Sequence, residues 1–126
     1  MRLIIALLLL TCSASAPAIN CANAITTLEI NECASREQAK VEAKLNKVYQ
    51  RVLKSLDKPD EELEKYSEMK KKFIVAQGAW VKFREADCDA VYAKSASGTM
   101  RTVLFIGCMQ SHAEQRIKAL EAYEDQ

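Results

Sequence analysis

The sequence predicts an all-α fold, an elongated antiparallel three-helix bundle stapled by two disulfides. Helix-favouring residues such as alanine, lysine, glutamate and leucine are plentiful, and the 126 residues include only three glycines and two prolines. Apolar residues recur at steps of three and four in three long segments, which is the period of a buried helix face. Four of the five cysteines lie after residue 18, an even number that suits two disulfides in an exported chain.

The N-terminus has the features of an export signal. Arg2 gives a basic start, residues 3–10 form an apolar run too short to span a bilayer, and residues 11–18 are small or weakly polar. Cleavage after Ala18 is preferred to cleavage two residues earlier, because the earlier cut would leave a proline at the new N-terminus. We therefore expect a signal peptide over residues 1–18.

The mature chain is expected to be a single helical domain over residues 19–126, periplasmic or secreted, without a transmembrane anchor. A rival interpretation makes Cys12 a lipidated cysteine that anchors the protein. Thr11, which precedes it, is bulkier than the small residue usual at that position, so the lipid anchor is the less favoured alternative.

Helix 1 is predicted from about Thr27 to Leu56. Thr26 and Glu29 have the spacing of a capping box, in which each side chain binds the other residue's backbone N–H. The apolar positions that define its buried face are Val41, Leu45, Val48, Val52 and Leu56.

Helix 2 is predicted to begin at Pro59, which fits only a first helical turn, with the acidic residues 60–62 at the positive end of the helix dipole. It should end near Tyr92. Gly78 lies inside it, and close approach of a neighbouring helix is the expected reason. The apolar positions on this helix are Tyr66, Met69, Phe73, Ala76, Trp80 and Phe83.

Residues 94–99 form a small, polar stretch that is predicted to be a loop. Helix 3 should follow it, from about Thr102 to Tyr123. The positions on its predicted seam are Met109, Ala113, Arg116, Leu120 and Tyr123.

The cysteines are predicted to pair as Cys88 with Cys108 and Cys21 with Cys33. A hairpin that turns at Gly98 brings Cys88 and Cys108 opposite each other, since each is ten residues from the glycine. Cys33 with Cys88 is the alternative, because a turn at the end of helix 1 also places these two cysteines at the same height along the bundle axis. A zinc site is disfavoured, because the spacings lack the close cysteine pairs of zinc ribbons.

The charges do not favour nucleic acid as a partner, because 18 lysines and arginines face 17 acidic residues, for a net charge of +1. No catalytic, metal-binding or phosphate-binding motif is present, and no cofactor is expected. Cys108 and His112 could share a helix face as a thiol and imidazole pair. That pair needs a free thiolate, so we interpret His112 as a surface residue without a catalytic role.

Helix 2 carries an unusual group of polar and aromatic residues. The guanidinium of Arg84 can lie against the indole of Trp80, and Asp87 can accept a hydrogen bond from Arg84. Arg116 occupies a seam position of helix 3, where it would need a carboxylate partner, either Asp87 or Glu85. We interpret this group as a polar network that fixes how helix 3 docks.

A pattern of cysteines, aromatic and polar residues extends over nearly all of the mature chain. Its positions are Cys21, Cys33, Leu45, Asn46, Tyr49, Gln77, Trp80, Arg84, Asp87, Cys88, Gly98, Thr99, Cys108, Arg116 and Leu120. In this pattern the sequence resembles the LprI-type lysozyme-inhibitor domain of exported bacterial proteins, which usually has serine where this chain has Thr99. The resemblance implies a helical, disulfide-bonded domain of the periplasm or envelope, for which inhibition of lysozyme has been proposed.

Two functions follow as hypotheses, neither of them enzymatic. The protein either blocks a lysozyme, or it is an envelope module with an endogenous partner. If it blocks a lysozyme, the expected contact is the loop between helices 2 and 3, which is slim, carries hydroxyls and has positive charge on either side. The residues of this candidate loop are Lys94, Ser95, Ser97, Gly98, Thr99 and Arg101.

Overall fold

A computed structural model describes residues 19–124 of the protein, and this part of the chain is helical without strands. A short 3-10 turn, Cys21–Asn23, precedes three helices: α1, Thr27–Ser55; α2, Tyr66–Lys94; and α3, Arg101–Glu124. The predicted all-α fold is confirmed. The predicted signal peptide lies outside the described residues and stays a prediction.

The three helices form a bundle in which α2 runs antiparallel to the other two. Near the ends of α1 and α3, Arg51 Nη2 lies 2.8 Å from Glu124 Oε2, so these two helices run parallel and pack side by side. Helices α1 and α2 have 29 residues each, which makes them about 43 Å long at 1.5 Å per residue. Over residues 19–124, no helix is both long enough and apolar enough to cross a membrane.

The core runs along the interior between the helices and confirms most of the predicted seam on α1. On α3 the seam differs, because this helix packs against both others and buries a wider face. Ile106 and Ile117 join the core there, whereas Met109 and Arg116 lie at its edge. On α2, Phe83 is 60% exposed, although its spacing predicts a core position. The buried apolar residues are Leu45, Val48, Val52, Leu56, Phe73, Cys88, Ile106, Ala113, Ile117 and Leu120.

The start of α1 confirms the predicted capping box. Thr26 Oγ1 accepts a hydrogen bond from the backbone N–H of Glu29 at 3.2 Å, and Glu29 Oε2 accepts one from the backbone N–H of Thr26 at 3.0 Å. These bonds to Thr26, chiefly the one from its backbone, lower the pKa of the Glu29 carboxyl. The box fixes where α1 begins, since it satisfies N–H groups that have no partner inside the helix.

The predicted start of α2 at Pro59 is wrong, because the helix begins seven residues later, at Tyr66. Asp60 explains the shift: its carboxylate accepts hydrogen bonds from the Ser67 backbone N–H at 2.8 Å and from the Ser67 hydroxyl at 2.7 Å. The bond from the backbone N–H is the main reason that the pKa of Asp60 is lowered. An acidic residue does stabilise the positive end of α2, but it reaches that end from the preceding connection.

Both predicted disulfides are confirmed. Cys21 pairs with Cys33, and Cys88 pairs with Cys108, each with a Cα–Cα distance of 5.6 Å. The alternative pairing of Cys33 with Cys88 is wrong, because α2 packs chiefly against α3 and the sulfur that faces Cys88 therefore comes from α3.

Gly78 does not mark a close approach of helices, contrary to the prediction. It is exposed, and a Cβ atom placed there would meet nothing within 4 Å apart from the helix's own backbone. Glycine in a helix interior costs about 0.5–1 kcal/mol relative to alanine, because it loses more backbone entropy on folding.

Replacing Gly78 with alanine is therefore expected to raise the free energy of unfolding by about 0.5–1 kcal/mol. Urea unfolding followed by circular dichroism measures the change. Gly107 is a matched second position, exposed on α3 with the same open space around it, and Gly107→Ala should give a similar gain. A loss of stability in Gly78→Ala but not in Gly107→Ala would contradict the open space around position 78.

Candidate functional site

Trp80 lies at the centre of the polar group on α2. Its half-buried indole packs against the core, and two guanidinium groups lie over the ring. The Cζ atom of Arg84 is 4.7 Å from the ring centroid, and that of Arg116 is 5.8 Å from it. The predicted stacking of Arg84 on Trp80 is confirmed, and the second contact brings α3 to the same ring. Such contacts are worth about 0.5–1 kcal/mol each at exposed sites and more when desolvated.

Arg84 pairs with α1 and not with its neighbour on α2. Its Nη1 atom lies 2.6 Å from Glu42 Oε1, and the arginine is 8% exposed. The expected bond from Arg84 to Asp87 is therefore wrong, because the buried side chain crosses the bundle. Its Nε atom is buried and lacks a hydrogen-bond partner within the described part of the chain. Glu42 had no sequence signal of its own, since α1 carries many glutamates.

Arg116 has a neutral partner where a carboxylate was expected. Its Nε donates to Gln77 Oε1 at 2.9 Å, so the predicted pairing with Asp87 or Glu85 is wrong. Burial is the main reason that the pKa of Arg116 is lowered. The group still carries its charge at neutral pH, because arginine starts from a very high pKa.

Asp87 instead binds the histidine of α3. Its Oδ2 atom lies 2.7 Å from His112 Nε2, and the imidazole also meets the Phe83 ring edge-on with centroids 5.5 Å apart. The His112 side chain is 17% exposed, so the expectation of a surface histidine is wrong. The same imidazole lies next to the disulfide between Cys88 and Cys108.

Trp80 and Arg84, together with Glu42 and Gln77, line a groove of about 540 Å³ between α1 and α2. The groove holds no nucleophile next to a base, and its main charges are already engaged with each other or with Trp80. Its contacts join α2 to both other helices, which supports the interpretation of a docking network. The lining residues are Glu42, Ala43, Leu45, Asn46, Tyr49, Gln77, Trp80, Val81 and Arg84.

The candidate loop lies at one end of the bundle, about 20 Å along α2 from Trp80 at 1.5 Å per residue. Residues 95–100 link α2 to α3, and the exposed residues at its tip are Ser97, Gly98 and Thr99. The loop binds itself: the Gly98 N–H donates to Ser95 O at 3.0 Å, and Arg101 Nη1 donates to Ala96 O at 3.2 Å.

The guanidinium of Arg101 also lies 5.5 Å from the centroid of the Tyr92 ring. Arg101 therefore stabilises the loop in addition to placing a positive charge beside it. Gly98 has no positive φ, so the chain reversal does not depend on glycine at this position. The loop faces the start of α1, and together they line a depression of about 480 Å³ that includes Thr27 and Asn31. All six predicted loop residues therefore lie together at one end of the bundle.

Comparison with known proteins gives one family and one relative. The family model described as "Lysozyme inhibitor LprI" matches residues 19–120, which include both the groove and the loop. An uncharacterized protein of Rhizobium meliloti (strain 1021) is 29% identical over 122 residues, covering 90% of this chain and 88% of the relative. No solved structure gives a significant match.

Proposed function

The chain belongs to the LprI family of lysozyme inhibitors, and we propose that it is an exported, non-enzymatic protein that binds a lysozyme and blocks its active-site cleft. The family match over residues 19–120 is the observation that carries this proposal. The predicted N-terminal export signal would place the mature chain in the periplasm or outside the cell, where lysozymes act.

The loop between α2 and α3 is the proposed contact. A lysozyme cleft is concave and carries two carboxylates, so an element that enters it must be narrow and able to donate hydrogen bonds or positive charge. Ser97 and Thr99 offer hydroxyls at an exposed tip, and Lys94 adds a charge at its base.

Preorganisation supports the same contact. The loop is closed by its own hydrogen bonds, and the Cys88–Cys108 disulfide joins its two helices about 10 Å below it, at 1.5 Å per residue. A loop that is already ordered loses little entropy on binding. This matters here because a chain of almost zero net charge gains little long-range attraction to a basic lysozyme.

Replacing Ser97 and Thr99 together with aspartate is expected to weaken inhibition at least about tenfold, because two carboxylates would face the carboxylates of the cleft and like charges repel. The measurement is the clearing of a cell-wall suspension by a panel of lysozymes with increasing amounts of the protein. Arg101 is left in place because it supports the loop.

The matched control is Leu63→Asp, which adds a carboxylate at a 93% exposed position in the connection between α1 and α2. It should inhibit like the parent, and all variants should have the parent's melting temperature. Full inhibition by the folded loop variant would exclude the loop as the contact. If the parent inhibits no lysozyme of the panel, the inhibitor function itself fails, and the envelope module with an endogenous partner becomes the better hypothesis.

A further inference from the structure

The cluster of Cys88, Cys108 and His112 combines the disulfide that supports the loop with a histidine that the proposed function does not use. One donor atom from each of the three side chains lies within 4.8 Å of the other two. We propose that, when the Cys88–Cys108 disulfide is reduced, these three side chains bind Zn²⁺, with Asp87 holding the histidine in position. This inference is independent of lysozyme inhibition.

The donor set is of the kind that zinc takes in proteins. Zinc binds thiolate sulfur at about 2.3 Å and imidazole nitrogen at about 2.0–2.1 Å in a tetrahedral arrangement. Neighbouring donors around such an ion are about 3.4–3.8 Å apart, so the two sulfurs must move apart by side-chain rotation once their bond is reduced, whereas the imidazole already has a donor atom within 4.8 Å of both. The helices need not move far, because the Cα atoms of Cys88 and Cys108 are 5.6 Å apart.

The two helices supply the ligands in complementary ways. Cys108 and His112 are four residues apart on α3, so they share a face of that helix, and Cys88 approaches from α2. Cys88 is fully buried, whereas Cys108 and His112 are partly exposed. The partly exposed side gives the ion a path of entry and leaves room for a water molecule as the fourth ligand.

Asp87 supplies the outer contact that zinc-bound histidines usually have. Its carboxylate engages His112 Nε2 at 2.7 Å, so the metal would bind the other ring nitrogen, Nδ1. A carboxylate in this position fixes the ring orientation and makes the imidazole a stronger ligand. The Phe83 ring, edge-on to the imidazole at 5.5 Å, limits its rotation further.

Reduction of the Cys88–Cys108 disulfide requires a reductant, here a dithiol. The dithiol transfers two electrons and two protons, so that the S–S bond of Cys88 and Cys108 breaks into two thiols and the dithiol becomes a disulfide. Zinc then displaces the two thiol protons, and the ion replaces the covalent link between α2 and α3.

The test uses the chain with Cys12→Ala, Cys21→Ala and Cys33→Ala, so that only the proposed thiols remain. The protein is reduced, freed of reductant under anaerobic conditions and titrated with Co²⁺, whose visible bands report tetrahedral geometry and whose near-ultraviolet bands report bound thiolate. We expect one Co²⁺ per chain, displaced by Zn²⁺, and a melting temperature that rises with added Zn²⁺ because the ion binds the folded state. The oxidised protein should show none of these changes.

Three variants separate a built site from adventitious thiol binding. His112→Gln should weaken metal binding at least about tenfold, and Asp87→Asn should weaken it about 10- to 100-fold. Glu114→Gln, at an exposed position of α3, should bind like the parent. Absence of metal uptake by the reduced parent would overturn the proposal. Metal uptake by His112→Gln equal to that of the parent would also overturn it. The two thiols alone would then account for the binding, whether or not the chain is folded.

Discussion

Replacing Trp80 with alanine is expected to lower the free energy of unfolding by about 3 kcal/mol, the lower end of the range for a large aromatic side chain, because the indole is half-buried. The indole packs against the core, and the guanidinium groups of Arg84 and Arg116 lie over it. Its removal would leave both charged groups without the ring, and Arg84 is buried. The loss therefore combines packing with the cation–π attraction that offsets the desolvation of the buried Arg84.

Urea unfolding of Trp80→Ala, Trp80→Phe and Phe83→Ala measures this contribution. Trp80→Phe keeps a ring between the guanidinium groups and should recover part of the loss. Phe83 is an aromatic residue of the same helix that is 60% exposed, so Phe83→Ala should cost about 1 kcal/mol or less. If Trp80→Ala unfolded like the parent but failed to inhibit lysozyme, Trp80 would belong to a binding surface and the docking interpretation would be wrong.

The helices could be predicted from the sequence because their signals are local. The capping box at Thr26 and the apolar period of α1 depend only on residues that are close in the chain, and both are confirmed. The start of α2 could not be predicted in this way. The first turn of α2 is bound by the carboxylate of Asp60, which accepts from the Ser67 N–H. Asp60 lies seven residues before Ser67, outside any local capping pattern.

The partners in the candidate site were harder to predict, because they depend on how the helices pack. The spacing of Arg84 and Asp87 allows a bond within α2. In the packed bundle, however, Arg84 lies opposite Glu42 of α1 and binds that residue. Asp87 is then free to bind His112. The expected pair of Arg84 and Asp87 within α2 is replaced by two pairs between helices, since a buried charge binds the partner that the packing places opposite it.

Removing the Cys88–Cys108 disulfide is expected to be the second large loss of stability, about 3 kcal/mol for a closed loop of 20 residues in the chain-entropy account. The variant Cys88→Ala with Cys108→Ala tests it by urea unfolding under non-reducing conditions. Cys21→Ala with Cys33→Ala is the matched control, because its sequence separation of 12 residues predicts almost the same entropy gain in the unfolded chain.

The free energy of unfolding of the control should nevertheless fall by less, about 1 kcal/mol. Without its disulfide, the segment before α1 gains conformational entropy in the folded state as well as in the unfolded state. Cys21 is exposed and Ile25 is 86% exposed, so residues before α1 can separate from the bundle without opening the core. Cys88 is fully buried where α2 packs against α3, and its bond cannot be removed without freeing the two helices that carry the candidate loop. Equal losses of stability in the two variants would mean that each disulfide acts only by lowering the entropy of the unfolded chain. A larger loss for Cys88 and Cys108, with weaker inhibition, would show that this disulfide stabilises both the fold and the proposed contact.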